Sequence, residues 1–169
     1  MPTYGVTKTY TPEQGLSATF RQWRAKSHCR FLHGYALGVR VHFVCHSADL
    51  DENGWVYNFG GLKAFKQFLA DTFDHKTLVA KDDPALPLMR QLAGLDGVEL
   101  GYRDIPNPHV FHAVDPLIQL VEVERTGCEA FAKLCYDWLD DNVDFEGRGI
   151  RIEYVEVFEH QGNSATYYG

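Results

Sequence analysis

Residues 33 to 46, HGYALGVRVHFVCH, constrain the fold more than any other stretch, because they alternate with a period of two. His33, Tyr35, Leu37, Val39, Val41, Phe43 and Cys45 fall on one face. Gly34, Ala36, Gly38, Arg40, His42 and His46 fall mostly on the other. Successive side chains of a strand point to opposite sides, so this is a long strand with one face committed to a core. Such a strand needs neighbours. Leu16 to Trp23 can lie antiparallel to it, joined by a loop through Arg24 to Arg30.

The rest of the chain supplies partners for that strand. Asn53-Gly54 marks a turn. Asn58 is placed to cap a helix from about Gly60 to Phe73, where Leu62, Phe65, Leu69 and Phe73 recur at helical spacing. Between 80 and 120, Pro84, Pro87, Pro106, Pro108 and Pro116 predict a long connection with one short helix near Pro87 to Ala93. Leu117 to Glu124 reads as a short strand. Thr126-Gly127-Cys128-Glu129 fits a capping box that opens a second helix carrying Phe131, Leu134, Cys135 and Trp138. Ile150 to Glu159 is apolar on both faces, as a central strand would be, and Ala165 to Tyr168 forms a last strand after a turn. The order predicts an α+β domain with an antiparallel sheet and helices on one face.

Size and charge narrow the function classes. A chain of 169 residues suits a single domain spanning 1–169. With 16 basic against 23 acidic residues the formal charge is −7 and no basic run stands out. Nucleic-acid binding needs a basic surface to neutralise phosphates, so it is excluded as the main role. No apolar run approaches the roughly 20 residues that span a bilayer, and MPTYGVTKTY has no signal-peptide core. Cys29, Cys45, Cys128 and Cys135 show no Cys-x-x-Cys pairing, which favours reduced thiols and a cytoplasmic location.

Four places could carry chemistry. Cys29 stands among Arg24, Lys26, His28 and Arg30. Neighbouring cations favour the thiolate that a nucleophile or base needs, whereas a small core residue is the plain alternative. Asp74-His75 follows the first helix. A carboxylate can fix an imidazole's tautomer for acid/base work. Adjacent residues usually point apart, however, and a His at a helix end also suits the macrodipole. Glu159 ends an apolar strand, where a carboxylate is costly unless paired, and the guanidine-like edge of a pterin or guanine would pair with it; the alternative is a solvated strand end. His33 could share a metal with position 35, since strand residues i and i+2 share a face, but Tyr35 is a rare zinc ligand.

Together, Cys29-x-x-x-His33-Gly34, GWVYNFGGLK at 54–63, Asp74-His75-x-x-Leu78, the CEAFAKL helix start with Glu129, and VEVFEHQGNSATY at 155–167 resemble the 6-pyruvoyltetrahydropterin synthase / 6-carboxytetrahydropterin synthase family. The three-residue gap between Cys29 and His33 looks like the carboxytetrahydropterin branch, which serves 7-deazaguanine (queuosine) synthesis. The resemblance implies a T-fold, a four-stranded antiparallel sheet with two helices on one face. It further implies homo-oligomeric barrels, trimeric or hexameric, with active sites between subunits. The implied reaction converts 7,8-dihydroneopterin triphosphate to 6-carboxytetrahydropterin with loss of triphosphate and acetaldehyde. By position, Cys29 would abstract a proton, His75 with Asp74 would be the partner acid/base, and Glu159 would anchor the pterin with help from Glu129.

The family's zinc site is where this sequence departs. Of the three histidine ligands, the first-strand position falls at about Phe20 and the last at Tyr35, leaving His33 alone. One imidazole cannot satisfy an ion that wants four ligands. His28, His109 and His112 are further histidines within reach in sequence, with no spacing that selects them. Three readings follow: a lyase of the carboxytetrahydropterin type with a rebuilt or metal-free site, a divergent enzyme acting on a related pterin or purine, and a non-catalytic pterin-binding protein of the same fold.

Overall fold

In the computed structural model, which describes residues 2–94, 116–145 and 149–169, the strands are β1 (Thr3–Tyr10), β2 (Leu16–Phe20), β3 (His33–His46), β4 (Lys76–Ala80), β5 (Leu120–Val123), β6 (Ile150–His160) and β7 (Asn163–Tyr168). The helices are α1 (Lys63–Phe73), α2 (Leu86–Leu92) and α3 (Cys128–Asn142). The alternating run forms β3, with Leu37, Val39, Val41 and Phe43 wholly buried. β2 lies antiparallel along its first half, from Leu16↔Leu37 to Phe20↔His33. β1 lies antiparallel along its second half, from Tyr10↔Val39 to Thr3↔His46. A short 3-10 turn over Pro12–Gln14, closed by a left-handed Gly15, steps the chain from one to the other. β6 takes the opposite side of β3, and β7 pairs with β6. Since β1 and β2 share one strand's place, these strands make the four-stranded antiparallel body that the sequence led us to expect.

The sheet continues beyond that body. β4 adds to β2 in parallel and β5 adds to β4 in parallel, so the seven-stranded sheet runs β5-β4-β2-β3-β6-β7, with β1 on β3. Phe65, Leu69 and Phe73 of α1 and Phe131, Cys135 and Leu139 of α3 are buried in one core against the sheet. α2 covers the other face of β4, where Val79 meets Leu86 and Met89 while its neighbour Leu78 joins the main core. The short helix thus lies where the proline-rich stretch predicts it, and residues 95–115 of the long connection lie outside the described residues. Among the described residues no helix is long and apolar enough to cross a membrane.

Two local expectations are corrected. Asn58 caps a 3-10 turn over Phe59–Leu62, its side chain accepting from the Gly60 N–H, and α1 begins only after that turn. Thr126 does not open a capping box. Its hydroxyl donates instead to the Arg21 carbonyl at 2.6 Å, and Gly127 takes the N-cap position with φ 117°. A hydroxyl already committed to another segment cannot satisfy the first amides of α3.

Candidate active site

The end of the sheet where β2 stops, β3 starts and β6 stops gathers most of the residues singled out in the sequence. Cys29 sits in a 3-10 turn over His28–Arg30, its backbone N–H directed at the Ser27 hydroxyl at 3.4 Å. Its carbonyl accepts from the Gln22 N–H at 2.9 Å. Gln22 in turn packs on the N-terminus of α3, where a Cβ on Gly127 would lie 2.5 Å from the Gln22 amide nitrogen. The positive φ of 117° there favours glycine. The Cys29 turn, α3 and the β3 start are thereby held together.

Tyr35 lies at the centre of this cluster. The charge of Glu159 raises its phenol above the ordinary value, reinforced by burial and by the Cys29 and Cys128 thiols. Cys128, buried at the first residue of α3, hydrogen-bonds Glu159, and its thiol is pushed up to about 12 by burial and then by the charges of Glu159 and Glu129. A neutral thiol therefore donates to the Glu159 carboxylate and leaves most of its acceptor capacity free for a ligand. Glu129 stands in the first turn of α3, where a carboxylate also complements the helix dipole. The cations around Cys29 in sequence turn partly elsewhere. Arg24 stacks on Trp23 at 4.6 Å and pairs with Asp82 at 3.0 Å, and Arg30 lies over Phe31 at 5.7 Å.

The zinc implied by the resemblance does not fit these residues. His33 donates from Nδ1 to the Phe31 carbonyl at 2.7 Å and faces the rings of Phe20 at 5.0 Å and Tyr35 at 5.5 Å. Phe20 is fully buried and offers only carbon. His28 is exposed on its turn, and His109 and His112 lie outside the described residues. Among the described residues no group of three His, Cys, Asp or Glu side chains is placed to hold a metal ion.

Asp74 and His75 form a second, separate half-site. Contrary to the rule that neighbours point apart, His75 Nδ1 donates to Asp74 at 2.7 Å. The reason is backbone: His75 is the sole non-glycine residue with positive φ, 56°, among the described residues. That conformation turns the ring back onto Asp74 while the His75 N–H bonds the Ser17 carbonyl at 2.7 Å. His75 opens a polar cavity of about 400 Å³ shared with Ser17, Thr19, Thr77 and Gln119. Ser17 and Thr19 alternate with the buried Ala18 and Phe20, so this cavity is on the face of β2 opposite the Tyr35 cluster. One chain does not bring Cys29 and His75 together.

The parts of four residues do not show in the sequence. Cys128 was readable only as part of the expected capping box, although its place directly before Glu129 was a signal. Tyr35 was noted for what it replaced and not for its neighbours. Arg21 and Asp83 form a two-pronged ion pair at 2.8 and 2.5 Å, with Asp83 4% exposed, that braces the start of the Cys29 loop. The Arg21 guanidinium holds the Asp83 carboxyl below its ordinary range.

Comparison with known proteins places this architecture. The family model for 6-pyruvoyl tetrahydropterin synthase matches residues 9–169. An uncharacterized protein from Wolinella succinogenes superposes with a TM-score of 0.73 at 20% identity, covering 99% of each chain. The 6-pyruvoyl tetrahydropterin synthase from Plasmodium vivax gives 0.66 at 14% identity, over 100% of this chain and 99% of that one. The Caenorhabditis elegans 6-pyruvoyl tetrahydropterin synthase gives 0.60 at 16%, over 100% and 97%. Comparison with curated proteins gave no match. With the family model covering nearly the whole chain and the same fold in these structures, the chain belongs to the 6-pyruvoyl tetrahydropterin synthase family.

Proposed function

We propose that the chain is a cytoplasmic 6-carboxytetrahydropterin synthase-like lyase, acting on 7,8-dihydroneopterin triphosphate in 7-deazaguanine (queuosine) synthesis. The observation that carries this reading is the convergence of Glu159, Cys29 and Tyr35 at the N-terminus of α3. Glu159 accepts from the amino-pyrimidine edge of the pterin in the bidentate manner carboxylates favour. Cys29 takes a proton from the side-chain carbon beside a hydroxyl. His75, oriented by Asp74, supplies or accepts the partner proton.

Since Cys29 and His75 are on opposite faces of the chain, the complete site requires His75 from a second copy. A homo-oligomer, trimeric or hexameric, would bring the two half-sites together between subunits. A second reading, an altered reaction on a related pterin or purine, is favoured by one observation: Phe20 and Tyr35 stand where the family has zinc ligands. Purified protein should consume 7,8-dihydroneopterin triphosphate and release acetaldehyde, and Cys29→Ala should abolish this. A wild type inert with and without added zinc sinks the lyase reading, and mass spectrometry of products from a pterin panel separates it from the second.

A further inference from the structure

What stands at the expected metal position is a specific triangle of rings. Phe20, His33 and Tyr35 have centroid separations of 5.0, 5.5 and 6.1 Å. Strand register builds the triangle: Phe20 is directly opposite His33 across β2 and β3, and Tyr35 is two residues along on the same face. Phe20 contributes no polar atom. The His33 Nδ1 is committed to the Phe31 carbonyl. The hydroxyl of Tyr35 makes no hydrogen bond among the described residues, although the ring is half-buried beside Glu159.

We propose that Tyr35 takes the part a metal would play, its hydroxyl donating a hydrogen bond to the side-chain oxygen of a pterin anchored on Glu159. This deepens the pterin reading above and rests on it. When Cys29 removes a proton from the side-chain carbon next to the ring, the proton goes to Sγ and the electron pair is delocalised into the adjoining C=N bond of the dihydropterin, whose nitrogen takes a proton from the partner acid. The phenol keeps its own proton throughout. A donor already aimed at the side-chain hydroxyl holds the reacting carbon in place for Cys29 without reorganisation. Glu159 selects the ring and Tyr35 selects a hydroxylated side chain.

Binding tests this apart from turnover. The probes are 7,8-dihydroneopterin, which carries the hydroxylated side chain, and 6-methyl-7,8-dihydropterin, which lacks it. Tyr35→Phe is expected to weaken dihydroneopterin about tenfold, the worth of one hydrogen bond, and to leave the methyl probe unchanged. Glu159→Gln is expected to weaken both. Elemental analysis of wild type after zinc loading is expected to find no stoichiometric zinc, whereas a folded Phe20→His, Tyr35→His double variant should gain it. Equal dihydroneopterin affinity in wild type and Tyr35→Phe overturns the inference and leaves the pterin reading standing, as does stoichiometric zinc in wild type. A folded double variant without zinc overturns the equation of the triangle with the metal's place. A wild type that binds neither probe overturns both readings.

Discussion

His75 pays for its position with backbone strain. A β-substituted residue at φ 56° is uncommon and costs on the order of 1 kcal/mol relative to glycine. The strain gives the chain a sharp exit from α1 into β4 and folds the imidazole onto Asp74. His75→Gly should therefore keep or raise stability, by up to about 1 kcal/mol in denaturant unfolding, while turnover is lost. A marked loss of stability would show instead that the ring supports the fold. At this scale the sequence was legible where a residue type is itself unusual, as with Glu159 at the end of an apolar strand or Cys29 beside a His-Gly pair. It was not legible where one dihedral decides. Nothing in a pattern of residue types told that Asp74 and His75 would touch, or that the Cys128 thiol would meet Glu159 from another element.

Among the elements, β3, α1 and α3 could be read because each has a clear apolar period, β6 because it is a long apolar run, and β7 because a turn precedes it. β4 could not. Its KTLVA run is buried on both faces, between the main core at Leu78 and α2 at Val79, so it has no alternation to detect. β1 failed for the opposite reason: TYGVTKTY is mostly exposed and carries few apolar residues to mark a face. The loop between β2 and β3 is held by Arg21 and Asp83, whose contact spans segments far apart in sequence. Asp83→Asn should cost about 2 kcal/mol, as loss of a charge-assisted pair commonly does, and loosen the Cys29 turn. The pair also predicts a pH response. Because the folded Asp83 titrates below its ordinary value of 3.8, its contribution is complete above that value and disappears as pH falls through the lowered one. Urea unfolding of wild type and variant across that range should show the difference between them shrinking in acid.

On the scale of the whole molecule, β5, β7 and β1 each have a side without a partner strand among the described residues, and the two half-sites are on opposite faces. Unpaired strand edges invite pairing with another chain, which fits edge-to-edge assembly into a closed ring. Gly38 shows how closely the sheet itself is built, since a Cβ there would collide with the Phe158 ring. The overall class was readable from the order of elements, whereas the parallel extension and the separation of half-sites depend on long-range pairing that no local pattern carries.

That separation has a genetic consequence. On the proposed function, a chain with Cys29→Ala and a chain with His75→Ala are each expected to be inactive alone, yet each retains the half the other lacks. Unfolded together and reassembled in equal amounts, they should recover about one quarter of wild-type turnover, because one junction in four pairs an intact Cys29 with an intact His75. No recovery in properly assembled mixtures would place both residues' work within one chain. With recovery, two defective alleles in one cell would repair each other, and the effect of a mutation in this protein would depend on which partner sits beside it.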